Sequence, residues 1–390
     1  MASQPAANVA PTSRWGFWGL TWAHFLNDGM ANYLPGILPF LAEQRHVPVA
    51  WAGSFMTALL FGQGLQPLSG WWADRLGGRR FILLGVAMST LAGALVGWAQ
   101  SLWLIWGLLL LTGIGNTLFH PQAMTAARSL AGRREGTRMS TFLVGGEVGR
   151  GIGPLVATLV VVSWGLQNLW VMALPLALSF LPLWRVTPSV RVRPRQHRIE
   201  WRRHLGPASA LVAFASLRAG ATYTVVTLAP LLWHARGGTL VSGAGLVTVL
   251  IGIGIVGNLG GGVASDRFGR QAVLTGSTLL TAVMLALFAR VNQVWIWPTL
   301  AVLGMALFSS GPVTLLIGQD IFDENPALGS GIALGLANGV GALMVFPLTY
   351  LAARAGYSAA IWVLVAMTLA SWPLSLRLRP EAWEARPRPA

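Results

Sequence analysis

Runs of twenty or more mostly apolar residues alternate with short polar stretches from Trp15 to Leu378. A bilayer core takes about 20 apolar residues per helix. The pattern predicts twelve spans: 15–41, 49–73, 80–99, 102–128, 137–163, 166–186, 206–234, 240–265, 271–289, 293–322, 328–353 and 357–378. Most connections are a few residues long, so consecutive helices must run antiparallel as neighbours. Six spans precede a polar stretch that holds Arg191, Arg193, Arg195, Arg198, Arg202 and Arg203, and six follow it. The expected fold is therefore all-α and integral to the membrane. Residues 1–186 form an N-terminal six-helix bundle, 187–205 a basic cytoplasmic linker, and 206–390 a C-terminal six-helix bundle with a short cytoplasmic tail.

The halves repeat. Gly70-Trp-Trp-Ala-Asp74-Arg75-Leu-Gly77 follows the second span, and Gly262-Val-Ala-Ser-Asp266-Arg267-Phe-Gly269-Arg270 follows the eighth. The two Asp-Arg pairs are 192 residues apart. Leu143 to Leu155 and Leu336 to Leu348 echo one another too, both ending in Pro-Leu. The expectation is two pseudo-symmetric bundles.

Composition agrees with a membrane solvent. Of 390 residues, 54% are hydrophobic and 10% charged, against about 25% charged in a typical soluble domain. The 47 Gly allow close helix approach, and the 19 Trp suit the headgroup zone. The absence of Cys excludes disulfides and cysteine metal sites. All 27 basic residues are Arg. The net charge of +15 does not indicate nucleic-acid binding, because the arginines cluster in short loops between spans. With the N-terminus cytoplasmic, 21 fall inside and four outside: Arg45, Arg236, Arg290 and Arg354. Arg150 and Arg218 lie within spans. The positive-inside rule thus predicts both termini in the cytoplasm. The polar N-terminal residues lack a cleavable signal pattern, so the first span is expected to be retained.

The loop Gly-x-x-x-Asp-Arg-x-Gly-x-Arg-Arg at 70–80 resembles the signature of the major facilitator superfamily. The resemblance extends over the whole chain, through the spans, the linker and the echo in the second half. It implies a central cavity and alternating access. It also implies a gating role for Asp74, Arg75, Arg79 and Arg80, and by repetition for Asp266, Arg267 and Arg270. Topology and helix capping alone are the alternative. A narrower resemblance rests on His24-Phe-Leu-Asn27-Asp28, Phe119-His120-Pro121 and Val144-Gly145-Gly146-x-x-Gly149-x-x-x-Gly153-Pro154-Leu155. These segments are similar to the fosmidomycin resistance protein family, which implies export of drug in exchange for protons across a bacterial inner membrane. Gly149-x-x-x-Gly153-Pro154 also resembles the fifth-helix motif of antiporters, without the paired glycines that usually follow the proline. The fourth-helix arginine of many drug–proton antiporters is absent, with Leu109 near its place.

Ionisable residues inside spans cost about 2.5–3.5 kcal/mol each on insertion scales and usually face a partner or a wet cavity. Spans 1, 4, 7 and 10 line the cavity in the fold the resemblance implies. His24 and Asp28, four residues apart, share a helix face with Asn27 nearby. Asp28 is a candidate proton carrier and His24 a relay, or both pair with neighbouring helices for structure. Asn116 and His120, beside Pro121, are candidate substrate ligands; a packing histidine is the alternative. Glu147 and Arg150 can pair on one face, while Val340 and Leu343 stand at their places in span 11. The pair is thus an addition to one half only, suited to coupling or substrate binding, or to a gate-locking salt bridge. Arg218 is the one charge in the middle of the second bundle, opposite Leu26 in the repeat. It could clamp an anion together with Arg150, or neutralise Asp28 or Glu147. Asp320, Asp323 and Glu324 are expected to partner nearby arginines. Gln63, Gln66, Asn258 and Asn338 are cavity or packing residues, and Trp22 could reach the cavity.

No spacing of metal ligands is present among the six scattered histidines, and no nucleophile–base pattern, so neither metal, cofactor nor enzymatic activity is expected. The functional expectation is a monomeric, proton-coupled exporter of a small anionic or zwitterionic compound. Uptake, exchange or uniport of a metabolic organic anion is the alternative, and a non-transporting membrane sensor a remote one.

Overall fold

A computed structural model describes residues 14–66, 69, 78–131, 135–188, 201–291 and 293–379. Asp74 and Arg75, with the rest of the first signature loop and most of the linker, lie outside these residues. No strand occurs among those described.

Twelve helical crossings follow the predicted order. In the first half they are α1 (Arg14–Ala31, then Leu34–Gln44), α2 (Val49–Gly64), α3 (Gly78–Leu95), α4 (Leu102–Leu130), α5 (Glu135–Trp164) and α6 (Leu174–Val186, entered through a 3-10 stretch at Leu166–Ala173). In the second they are α7 (Trp201–Ala235), α8 (Leu240–Phe268), α9 (Arg270–Phe288), α10 (Ile296–Ser309, then Gly311–Ile321), α11 (Pro326–Ser330 to Val345–Ala355) and α12 (Tyr357–Leu376). Ten segments are long and apolar enough to cross a bilayer by themselves. The other two are α1, which is broken, and α2, described over 16 residues.

The breaks have identifiable causes. Pro35 cannot donate to the carbonyl of Ala31, four residues back. Gln63 Nε2 of α2 donates to that carbonyl instead, at 2.8 Å. Gln63 therefore completes a helix break, a backbone role that its sequence position did not reveal. Pro121 similarly frees the carbonyl of Thr117, which accepts from Ser69 Oγ at 2.8 Å. In α10 the break falls at Ser310, just before Pro312. The α11 crossing includes a π turn at Gly331–Leu336 and a second interruption before Val345.

Across the halves, α2 packs on α11 and α5 on α8, an arrangement that maps onto itself when the halves are exchanged. One buried apolar core unites the halves at the end carrying the 45–48 and 236–239 loops. It joins Tyr33, Leu34 and Ile37 to Val225, Leu231, Leu246 and Leu250. At the opposite end the core divides. Leu20, Phe119 and Phe142 belong to a cluster of the first half, Leu211, Phe214 and Ile317 to a separate cluster of the second. The united end also holds an ion pair between the halves, His234 Nε2 to Glu43 Oε1 at 2.7 Å, and a hydrogen bond from Thr57 Oγ1 to Ala342 O at 3.1 Å. The apolar core is thus shared by the halves at one end and divided between them at the other.

Candidate functional site

The site forms where α1, α4 and α5 converge. Gly149 and Gly153 set that convergence. A Cβ on Gly149 would overlap the carbonyl of Phe25, and one on Gly153 the carbonyl of Gly29. Two glycines one turn apart let α5 lie against the backbone of α1, as small residues do in membrane helix pairs. Gly146, a turn earlier, leaves room for the imidazole of His24, which a Cβ there would strike. The glycine motif that the sequence shares with antiporters therefore acts locally, by bringing Arg150 to Asp28.

Asp28 is 1% exposed. Its carboxylate receives Asn27 Nδ2 at 3.1 Å and Asn116 Nδ2 at 3.2 Å, both on Oδ1. His120 Nε2 lies 3.2 Å from Oδ1, and His24 Nε2 and Arg150 Nη2 each lie 3.5 Å from Oδ2. Arg150 Nη1 also pairs with Glu147 Oε1 at 3.2 Å. Ser89 Oγ donates to Asn27 Oδ1 at 2.8 Å and so orients that amide. Seven of the residues singled out in the sequence thus stand in one cluster: His24, Asn27, Asp28, Asn116, His120, Glu147 and Arg150.

The histidines are held in one tautomer when neutral. His24 Nδ1 lies 2.9 Å from the Phe142 carbonyl and His120 Nδ1 2.9 Å from the Asn116 carbonyl. A carbonyl only accepts, so each Nδ1 carries the hydrogen and each Nε2 presents a lone pair to the centre. The ligand atoms of His24, Asp28 and His120 all lie within 4.8 Å of one another. These are the described residues able to hold a metal ion. With both imidazoles neutral, Asp28, Glu147 and Arg150 sum to one negative charge in a membrane interior. Such a charge calls for a compensating cation.

Arg218 stands outside the cluster. Its Nη2 donates to the carbonyls of Ala306 and Leu307, at 2.9 and 2.5 Å. These belong to the last turn of Ile296–Ser309, where helix carbonyls lack backbone N–H partners within the helix; Ala306 O also accepts from Ser309 Oγ at 3.0 Å. The side chain is buried, and its Nε and Nη1 have no hydrogen-bond partner. No carboxylate lies within ion-pair range of it among the described residues, so here it neutralises neither Asp28 nor Glu147. Tyr223 of α7 approaches Arg150 closely enough to feel its charge. This residue from the second bundle was not singled out in the sequence, because an aromatic inside an apolar run has no distinguishing pattern.

The expected gating residues are dispersed. Arg79 packs its guanidinium over Trp184, 5.3 Å from the ring centroid, and Arg80 is exposed. Asp266 and Arg267 are exposed, the latter over Phe268. Arg270 is ion-paired with Asp320, and Glu324 with His204 Nε2 at 2.6 Å. The acidic loop after α10 thus does bind a neighbouring arginine, and it also binds a histidine. Trp22 points away from the cluster, donating to Ser179 Oγ of α6 at 3.0 Å, and is 40% exposed.

Comparisons with known proteins agree with this architecture. The sequence profile of the Major Facilitator Superfamily matches residues 20–346. The uncharacterized MFS-type transporter YfnC of Bacillus subtilis (strain 168) is 27% identical over 353 residues, covering 85% of each chain. The fosmidomycin resistance protein of Escherichia coli (strain K12) is 25% identical over 375 residues, covering 88% of each. Among solved structures, a mutant of the nucleoside transporter NupG superposes with a TM-score of 0.79 at 13% identity, over 93% of this chain and 99% of its own. A bacterial homologue of the human lysosomal transporter Spinster, inward-facing and unoccupied, also reaches 0.79 at 14% identity, over 98% and 100%. Twelve crossings in two pseudo-symmetric bundles, meeting at α2–α11 and α5–α8, together with a family match over most of the sequence, make this chain a multi-pass membrane transporter of the major facilitator superfamily.

Proposed function

We propose that the protein is a proton-coupled antiporter that exports a small anionic or zwitterionic, drug-like compound, a phosphonate of the fosmidomycin kind being the model substrate. It works as a monomer in the bacterial cytoplasmic membrane, with both termini inside. The observation that carries this reading is the buried Asp28 carboxylate, shared by His24, His120 and Arg150, with Glu147 on the far side of Arg150. The Arg150 side chain keeps 30% of its surface exposed and Glu147 21%, while the end that carries Glu43 and His234 is sealed. With the linker end cytoplasmic, substrate reaches Arg150 from inside.

The guanidinium offers a planar fork suited to a carboxylate or phosphonate. An incoming anion competes with Asp28 and Glu147 for that fork. A carboxylate that loses its arginine is left in a poor solvent for charge and takes a proton instead. Anion binding and protonation of the carboxylate are thus linked at one site, and the sense in which the two move is what the flux experiment below reads. Asn27, Asn116 and His120 supply hydrogen bonds around the same point, and His24 relays protons. The relative named for fosmidomycin resistance supports the substrate class. Arg218 serves this scheme by bracing the α10 break and not as a second claw on the substrate. The arginines and carboxylates of the signature loops, Asp74, Arg75, Arg79 and Arg80 with Asp266, Arg267 and Arg270, set the balance between the open and closed linker end.

The test is flux in proteoliposomes under an imposed pH gradient, with a radiolabelled phosphonate antibiotic and, in parallel, a lipophilic cation. Export-direction flux of the phosphonate that rises with an inward proton gradient supports the proposal. Flux of the cation alone would overturn the anion assignment. Phosphonate or organic-anion flux indifferent to the gradient, or reversed by it, would establish uptake, exchange or uniport of a metabolic anion.

A further inference from the structure

We propose that His24, His120 and Asp28 form a binding site for a first-row transition-metal dication of the zinc or cobalt type. Two imidazole nitrogens and the two oxygens of one carboxylate stand together. His24 Nε2 and His120 Nε2 are 3.3 Å apart. Asp28 Oδ2 is 3.5 Å from the first and Oδ1 3.2 Å from the second. A tetrahedral ion holds imidazole nitrogen and carboxylate oxygen at about 2.0–2.1 Å, which sets the edges of its tetrahedron at about 3.3–3.4 Å. The separation of the two imidazole nitrogens matches that edge, and each imidazole lies within about 0.2 Å of it from one oxygen of the shared carboxylate. Octahedral Mg2+ at about 2.1 Å would need adjacent ligands near 3.0 Å, and it prefers oxygen and water to imidazole.

The orientation of the rings is the second observation. Both Nδ1–H groups are spent on backbone carbonyls, Phe142 O and Asn116 O, each at 2.9 Å. This is the outer-shell arrangement that fixes a metal-binding histidine with its Nε2 lone pair forward. Two lone pairs and a carboxylate pressed together repel unless a proton or a metal cation sits among them, and the proposed metal takes the place of that proton. Asn27 and Asn116 donate to Oδ1 and so hold the carboxylate in place. Glu147, paired with Arg150, offsets the nearest competing positive charge. The backbone gap at Gly146 leaves the side of His24 Nε2 free of a Cβ. A water or a substrate oxygen would complete the fourth position.

The site stands or falls independently of the proton exchange proposed above, because its test is equilibrium binding to the purified, tag-free protein. Co2+ is added to the metal-free chain and its visible absorption recorded, followed by displacement with Zn2+. Cu2+-loaded protein is then measured by pulsed electron paramagnetic resonance. The expected result is one Co2+ per chain with the intense bands of a four-coordinate ion, displaced by Zn2+ and indifferent to Mg2+. The Cu2+ spectrum should carry two imidazoles. Changes in the outer shell of a metal cost about 10–100-fold in affinity, so His24→Gln or His120→Gln should weaken binding by about 100-fold or more. His234→Gln should bind as the wild type does. A six-coordinate Co2+ spectrum, fewer than two imidazoles on Cu2+, or undiminished binding by both Gln variants would overturn the site. The spectra of the wild type decide the matter even if the variants fail to fold.

Discussion

The prolines of α4 and α10 lie 191 residues apart, at Pro121 and Pro312, and mark equivalent places in the two bundles. The bundles have filled these places in opposite ways. In the first, the residue before the proline is His120, which returns its Nδ1 to the carbonyl of its own helix and turns Nε2 toward Asp28. In the second, Gly311 stands there, and Arg218 reaches across from α7 to the carbonyls of Ala306 and Leu307. At the same spacing, Asn27 of α1 is the counterpart of Arg218. One break is thus lined by titratable groups, the other plugged by a guanidinium. The first bundle holds the polar cluster, and the second faces it with Tyr223, which is close enough to Arg150 to feel its charge.

The largest expected effect is from Asp28→Asn. It removes the acceptor common to His24, His120 and Arg150, and breaking a buried pair costs about 3–5 kcal/mol. Exchange flux in proteoliposomes should fall by about 100-fold or more. Near-normal flux would move the chemistry out of the first bundle and end the contrast. Arg218→Met comes next. It removes the donor to Leu307 O and one of two donors to Ala306 O, which keeps Ser309 Oγ, and an unsatisfied buried group costs about 1–3 kcal/mol. Thermal unfolding in detergent should show a clear loss of stability, with substrate affinity reduced less than by Arg150→Met. Intact stability with lost affinity would instead make Arg218 a substrate ligand. Gly149→Ala should cost about 1–3 kcal/mol by forcing α5 off Phe25, and should loosen Arg150 from Asp28, read as weaker binding of an anionic probe. The smallest effect belongs to His234→Ala. An exposed ion pair contributes about 0–1 kcal/mol, so the melting temperature should scarcely change. Cysteine labelling near Glu43 should report a modest rise in accessibility, and no rise would remove the pair from the closure.

Much of the fold was legible in the sequence for reasons of solvent. Apolar runs of bilayer length mark crossings, and the Asp74 and Asp266 loops mark the repeat. The breaks were less legible, because hydropathy continues smoothly through Pro35 and through the π turn at 331–336. The site was half legible. Helical spacing put His24 and Asp28 on one face and paired Glu147 with Arg150. It could not bring His120 to His24, 96 residues away, since periodicity gives a face and not the neighbour opposite it. The same limit hid the convergence of three metal-type ligands, which share no spacing. Arg218 was recognised as an outlier, but its partners are backbone carbonyls, and these have no sequence signature. Gln63 and Ser69 were obscured likewise.

The bend in α1 has a mechanical consequence. Asp28 lies on the arm before the break, Glu43 on the arm beyond it, and Asn32 at the joint ties its Nδ2 to the Asp28 carbonyl at 2.9 Å. Tyr33, at the same joint, is pinned by its hydroxyl to the carbonyl of Gly93 at 2.9 Å. A rod with a pinned elbow acts as a lever about its fulcrum. A tilt of the inner arm, when the charge around Asp28 changes, swings the outer arm and with it one half of the latch. In the exchange proposed above, a single helix would thereby link the occupancy of the centre to the far end.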